Sequence, residues 1–350
     1  MKNLIFICCI LIILFKTGNV LSSNNIFSVN NVEITKEISQ NREKLVNQAF
    51  LKGFDKLIYR LLLETDYRKL SNTSLIQIKK LISHYQIVSP DKKKNENKNL
   101  KVNIFFDKDR IHNFFYNRNI LYSDIVNTEV ILFPLLIKEK KYFIYTKNYF
   151  YNNWNDKNDD NLIQYTLPVE NIENIQKINL NKDNIYELNI SNFFKEHDVD
   201  NIVFANIELN EKLNIAKVFL NSRIEGKKIK KTLSINKTED LSEKDFYDKI
   251  ILETNKVIRD LIKSQNLIDV RTPSFLNVKI KLNKKKNLVE FNNRLENIDL
   301  IDNFFIQRLN KDYVLIKIKY LGKIDKIISK LKDQNLNLKL YKGEWQINII

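Results

Sequence analysis

The chain has 350 residues, with Lys+Arg 58 against Asp+Glu 42, a formal net charge of +16 and 43% hydrophobic residues, so wholesale disorder is excluded and two or three modest cores fit its length. It contains 5 glycines, and no G-x-G-x-x-G, G-x-x-x-x-G-K-[ST] or G-x-S-x-G pattern can be written with them. The standard nucleotide-binding loops and the nucleophile elbow are therefore excluded.

The N-terminus reads as an export signal. Lys2 makes a positive start, Leu4 through Phe15 form an apolar core, and Val20 and Ser22 are the small-residue positions before Ser23. Residues 1–22 are thus expected to be a secretory signal peptide, too short for a comfortable membrane span, with an uncleaved anchor as the alternative. Cys8 and Cys9 lie inside the apolar core, not at its end, so no lipoprotein cysteine is expected. Cleavage removes both cysteines and the single methionine. The mature chain then has no disulfide, thiol nucleophile or Cys-ligated zinc, and its cores alone must hold it. The expected location is the bacterial periplasm, with no transmembrane segment after cleavage.

The charge has two readings. Lys, Asn and Ile dominate everywhere and Lys far outnumbers Arg, the bias that an AT-rich genome produces. The other reading is attraction to an anionic partner such as lipid headgroups or an acidic glycan. Specific nucleic-acid recognition relies on Arg and is not expected outside the cytoplasm.

In the first module, 23–125, Ile26 to Ile34 alternates as a strand. Ser39 is expected to cap a long helix whose apolar positions Val46, Ala49, Phe50, Gly53, Phe54, Leu57, Ile58 and Leu61 share one face. Gly53 on that face predicts close approach to a strand. A helix from Ser74 to His84, a strand from Tyr85 to Val88, an exposed loop from Pro90 to Lys98, a strand from Leu100 to Phe106 and a helix from Arg110 to Arg118 follow.

These residues carry a resemblance. The opening strand, the helix start Arg42-Glu43-Lys44 with Ala49-Phe50, and the segment Phe105-Phe106-Asp107-Lys108-Asp109-Arg110 resemble the proteobacterial exported family filed as domain of unknown function 2066. Asn41 stands where that family has alanine before the arginine, and Ile111 takes the apolar place after the second motif. Phe133-Pro134, Trp154 and Tyr165-Thr166-Leu167-Pro168-Val169 extend the similarity over most of the mature chain. The resemblance implies an exported protein with no assigned activity.

The middle module, 126–270, alternates strands and helices. Strands are expected at Val130–Leu136, Lys141–Thr146, Asn201–Leu209, Leu213–Ser222 and Lys228–Ile235, and a helix at Glu243–Ser264. The run from Asp198 to Ile207 with its following strands resembles, at fold level, small envelope α/β modules such as the TolB N-terminal domain, which bind partners.

The C-terminal module, 271–350, opens at Pro273. Leu276 to Leu282 alternates as a strand with one buried face. A helix through Leu288, Phe291 and Leu295, strands Leu300–Leu309 and Val314–Tyr320, a helix through Ile324, Ile327, Ile328 and Leu331, and a strand Leu336–Leu340 follow. The order βαββαβ predicts a ferredoxin-like fold with two helices on one face of the sheet. Trp345–Ile350 is read as an extra strand, and Trp345 is expected to cover the edge of the core that sheet and helices share. The fold class is α+β, built of three α/β modules.

Candidate chemistry is sparse. His84, His112 and His197 are dispersed and form no H-x-x-x-H pair. Asp156, Asn158 and Asp160 imitate the start of a calcium loop, but Asn161 replaces its turn glycine and Leu167 its bidentate glutamate, so a polar loop explains them better. No metal or cofactor is expected. The most unusual stretch is Lys140 to Trp154, where aromatic residues interleave with lysines. Tyr145, Tyr149, Tyr151 and Trp154 with Lys147 are the candidate binding surface, a stacking platform with cation–π support. The competing reading is a half-buried strand whose alternate rings fill a core. The function expected is a non-catalytic binding or assembly module whose partner is another envelope protein or an anionic envelope surface, not nucleic acid. A hydrolase of an envelope polymer and a peripheral binder of anionic membranes are the rivals.

Overall fold

The computed structural model describes residues 26–35, 41–88, 99–157, 162–188, 200–210, 212–281 and 286–349. The expected signal peptide, the Ser39 cap, the loop at 90–98, His197 and two of the calcium-like positions lie outside them. The protein is mixed α+β and divides into two compact units, one of residues up to 58 with 71–121 and 268–350, the other of 59–70 with 122–267.

The first unit begins with β1 (Ser28–Thr35) and α1 (Arg42–Leu61), which enters the second unit at Tyr59. Asn41, not the expected Ser39, caps this helix, its side-chain oxygen accepting from the Lys44 N–H at 2.8 Å and satisfying one of the open donors. A Cβ on Gly53 would run into Ile104 Cδ1 and lie 3.6 Å from Val32 Cγ2, so glycine lets the helix lie close on the strands, as its position predicts. The short α2 (Glu64–Leu70) falls in the second unit and had no periodic signal. Next come α3 (Leu75–Leu81), capped by Ser74, then β2 (Ile82–Val88) and β3 (Asn99–Phe106). The helix expected to reach His84 stops at Leu81, because residues from Ile82 onward pair antiparallel with β3. The sheet order is β1-β3-β2. Asp107 caps α4 (Lys108–Tyr116), which buries Ile111, His112, Phe114 and Phe115.

The second unit holds β4 (Tyr122–Ser123), β5 (Thr128–Lys138), β6 (Lys141–Phe143), α5 (Tyr149–Asn153), β7 (Ile163–Thr166), α6 (Ile172–Leu180), β8 (Ile202–Asn210), β9 (Ile215–Ile224), β10 (Lys227–Asn236) and α7 (Glu243–Gln265). Its sheet runs β10-β9-β8-β5-β6, with β7 beside the first half of β5. β5 and β8 are parallel neighbours and nearly continuous in apolar residues, the pattern of strands covered on both faces. Val130, Leu132, Val203 and Ala205 pack under α7 with Phe150 and Trp154. Ile131, Phe133, Ile202 and Phe204 pack on the other face with Tyr145, Ile178 and Ile185. Lys263 of α7 is buried, and its ammonium donates to the Tyr59 and Leu62 carbonyls at 2.6 Å each, which closes the open C-terminal end of α1.

The chain passes β11 (Leu267–Ile268) back into the first unit and builds β12 (Ser274–Lys281), α8 (Lys286–Glu296), β13 (Ile301–Leu309), β14 (Tyr313–Tyr320), α9 (Ile324–Asp333), β15 (Leu336–Tyr341) and β16 (Glu344–Ile349). The βαββαβ order holds, with the helices on one face: Phe291 of α8 meets Phe304 edge-on, and Ile327 and Leu331 of α9 are buried. The sheet order is β13-β14-β12-β16-β15. Trp345 is half-buried and lies opposite the buried Val278, in β16, which inserts between β12 and β15 and displaces β15 to the margin. The cause is the turn at Lys342 and Gly343, both with positive φ (50° and 81°), which folds β16 directly back on β15.

Candidate functional site

The aromatic stretch starts at a hairpin. Glu139 and Lys140 both take positive φ, 50° and 61°, which matches the turn to the right-handed twist of β5 and β6. The chain leaves β6 at Phe143, earlier than the alternation predicts, and turns through Lys147 at φ 62°. Asn148 then organises the local structure. Its Oδ1 accepts from the Phe150 and Tyr151 N–H groups at 3.1 and 3.4 Å and starts α5. Its Nδ2 donates to the carbonyls of Pro134, Phe143 and Ile144 at 2.9, 3.0 and 3.0 Å. The side chain is fully buried, so these bonds tie the turn to β5 in a place water does not reach.

From this anchor the candidate rings separate. Trp154 is 0% exposed and lies in the core beneath α7 with Phe150, its ring edge-on to Tyr165. Tyr145 is 3% exposed and enters the opposite core, where Asn174 donates to its hydroxyl at 3.2 Å. Tyr151 meets Tyr145 edge-on at 5.2 Å, and its hydroxyl donates to the Pro168 carbonyl at 2.9 Å. The sheet lies between the two groups, so Tyr145, Tyr151 and Trp154 do not join Tyr149 in one exposed platform. The reason is geometric: successive residues of a strand or a short helix point in different directions, and both directions here are occupied by core.

Two of the candidates do come together. Lys147 and Tyr149 line a cleft of about 330 Å³ with Lys138, Lys141, Phe143 and Tyr247. Leu136 also lines it, and Glu139 is the carboxylate of the lining. Lys141, Phe143, Lys147 and Tyr149 belong to the unusual stretch. Lys138 and Tyr247 were not legible from it, because they arrive from β5 and from the second turn of α7.

Two acids outside the lining bond to residues of this cleft. Tyr149 donates to Asp248 Oδ1 at 2.6 Å, and Lys157 binds Asp248 Oδ2 at 2.7 Å. Burial works to raise the Asp248 carboxyl, but the bonds from Lys157 and Tyr149 prevail and hold it below the ordinary aspartate value. Burial, with the bond to Asp248, pushes the Tyr149 phenol up to about 12, so it stays a donor. Tyr247 donates to Glu243 Oε1, and Lys138 Nζ lies 3.8 Å from the same carboxylate. Amines and phenols beside ring walls suit the holding of an anionic group.

The remaining candidates lie elsewhere. His84 is exposed and stacks on Phe105 at 4.3 Å. His112 is buried against Phe27 in the first unit. Asp156 is exposed in a short turn. Among the described residues no cluster of three or more His, Cys, Asp and Glu side chains could hold a metal ion, and no helix is long and apolar enough to cross a membrane.

No protein-family model matches the chain, and no curated protein matches it. Two solved structures show a partial likeness. Lipoprotein GNA1162 from Neisseria meningitidis aligns at 9% identity and TM-score 0.24, over 37% of this chain and 96% of that one. A second, titled an uncharacterized protein, aligns at 10% identity and TM-score 0.16, over 41% of this chain and 94% of that one. At these TM-scores neither likeness bears on function.

Proposed function

We propose that the protein is a non-catalytic binding or assembly module of the bacterial cell envelope, and that the cleft below the β5–β6 hairpin receives an anionic group of its partner. The cleft carries this reading: Lys138, Lys141 and Lys147 line one hollow walled by Phe143, Tyr149 and Tyr247. Asp248 is bonded to Lys157 and Tyr149, Glu243 pairs with Lys138, and Glu139 also lines the hollow, so Lys141 and Lys147 are the cations on which the reading rests. The signal-like N-terminus and the resemblance to domain of unknown function 2066 support the envelope setting.

Crosslinking in cells followed by purification of the full chain tests the reading. Wild type is expected to capture one defined envelope protein, and Lys141→Glu with Lys147→Glu is expected to lose it while melting at the wild-type temperature. Undiminished capture by that variant overturns the cleft assignment. Turnover of a cell-wall polymer by the purified protein overturns the non-catalytic reading.

A further inference from the structure

We infer that the uncovered face of the C-terminal sheet is a docking surface for an anionic lipid bilayer. The register defines this face. Leu276, Val278 and Ile280 of β12 are buried under the helices, so Asn277, Lys279 and Lys281 point the other way. Asn277 pairs with Lys317 and Phe275 with Lys319 of β14, which places both lysines on the same uncovered side. Lys339 joins them through Gln346, the partner of both Lys279 and Lys339, and Arg308 joins them opposite Leu315. Five strands make a surface roughly 20 Å across.

Lysine is abundant throughout this chain, so charge alone would mean little. The rings distinguish this face. Phe275 is 52% exposed, Phe305, opposite Lys317, is 50% exposed, and Tyr341 is 57% exposed, so large apolar side chains stand among the cations without cover. Two carboxylates lie beside these cations, and each is bridged: Asp302 to Lys319 at 2.6 Å and Glu344 to Lys279 at 3.5 Å. Cations with half-exposed rings are the composition of an interfacial surface, where amines meet headgroup phosphates and rings sit at the acyl boundary.

The geometry favours a bilayer over a polymer read by stacking. Lys317 Nζ lies 4.4 Å from the centre of the Phe275 ring, and Lys279 Nζ lies 4.5 Å from that of Tyr313. An ammonium ion already covers a face of each ring, so a base or sugar stacking there has to displace it. A plane of phosphates engages those ammonium ions where they are. The site is separate from the hairpin cleft, and it stands or falls without the cleft.

Flotation of the purified full chain with vesicles tests the inference. The expected result is binding to vesicles of equal parts phosphatidylcholine and phosphatidylglycerol, loss of that binding as salt rises, and no binding to phosphatidylcholine alone. Lys279→Gln with Lys317→Gln should weaken binding by about 25-fold, at about fivefold for each lysine near an anionic surface. Phe275→Ser should weaken it further. Lys228→Gln with Lys231→Gln on β10, in the other unit, should leave it unchanged, and circular dichroism melts should show all variants folded. Equal binding to both vesicle types, equal loss in the β10 variant, or tighter binding to a single-stranded oligonucleotide than to the anionic vesicles would overturn the inference. Loss of cleft-dependent capture in cells leaves this result untouched, so the two proposals fail separately.

Discussion

The two large sheets of this protein are built from the same residue types and treat them in opposite ways. In the second unit, β5 and β8 run apolar residue after apolar residue, and both faces are packed. In the C-terminal module, β12 and β14 bury every second residue, and Asn277, Lys279, Lys281, Lys317 and Lys319 are among those between, so one face stays in water. Polar residues at alternate positions keep one face of a sheet as surface, whereas continuous apolar runs put both faces in a core. The same pattern also decides what an aromatic residue does. Trp154 fills a core, whereas Phe275 stands in solvent beneath an ammonium ion.

The largest test of this contrast exchanges those two rings. Trp154→Ala is expected to cost about 3–5 kcal/mol in urea unfolding, and Phe275→Ala less than about 1 kcal/mol. The Trp154 indole N–H has no hydrogen-bond partner in the structure, so Trp154→Phe should recover most of the loss. Equal costs at both positions would mean that the uncovered face is covered in solution.

A sharper version uses asparagines. Asn148 is buried with its amide bonded to three carbonyls, and Asn148→Ala should cost about 2–3 kcal/mol by leaving them unmet. Asn277 is exposed on the uncovered face, and Asn277→Ala should be neutral within about 0.5 kcal/mol. A neutral Asn148→Ala would show that the turn does not need this anchor.

The smallest test concerns an ionisable group caught on a covered side. Burial, with Lys108 nearby, lowers the His112 imidazole to about 4 from its ordinary 6.5. The unfolded chain takes up this proton first, so the stability associated with neutral His112 is complete above pH 6.5 and is lost as pH falls toward 4. The loss between pH 6.5 and 5 should be about 2 kcal/mol, and His112→Leu should flatten that part of the pH–stability curve. An unchanged slope in the variant would place the titration elsewhere.

Much of the fold was legible. The alternation of Leu276 to Leu282 identifies β12 and its buried face, and helical spacing through Phe291 and Leu295 identifies α8. Asp107, noted as part of a family-like motif, is a helix cap, and Ile111 after it is fully buried, so those motif positions have local structural roles. The short elements α2, α5 and α6 were not legible. Each buries only one or two residues, Leu70 in α2, Phe150 in α5, and Asn174 and Ile178 in α6, so no apolar face repeats along it. Of the candidate surface, only Lys147 and Tyr149 reach one cleft, because which side of the sheet a ring enters depends on partners distant in sequence.

Taken alone, the sequence determined the local terms: which face of the regularly patterned strands and helices is apolar, where the turn at Lys342 and Gly343 stands, and that no glycine-rich nucleotide loop can be written. Those are properties of neighbours along the chain, set by sterics, hydrogen bonding and periodicity over a few residues. Tertiary structure decided the rest. It placed β16 between β12 and β15, divided the rings of one short segment between two cores, and brought Lys138 and Tyr247 to Lys147 and Tyr149. Pairing and burial are contests among all elements at once, and a local pattern states what an element must bury without naming what will cover it.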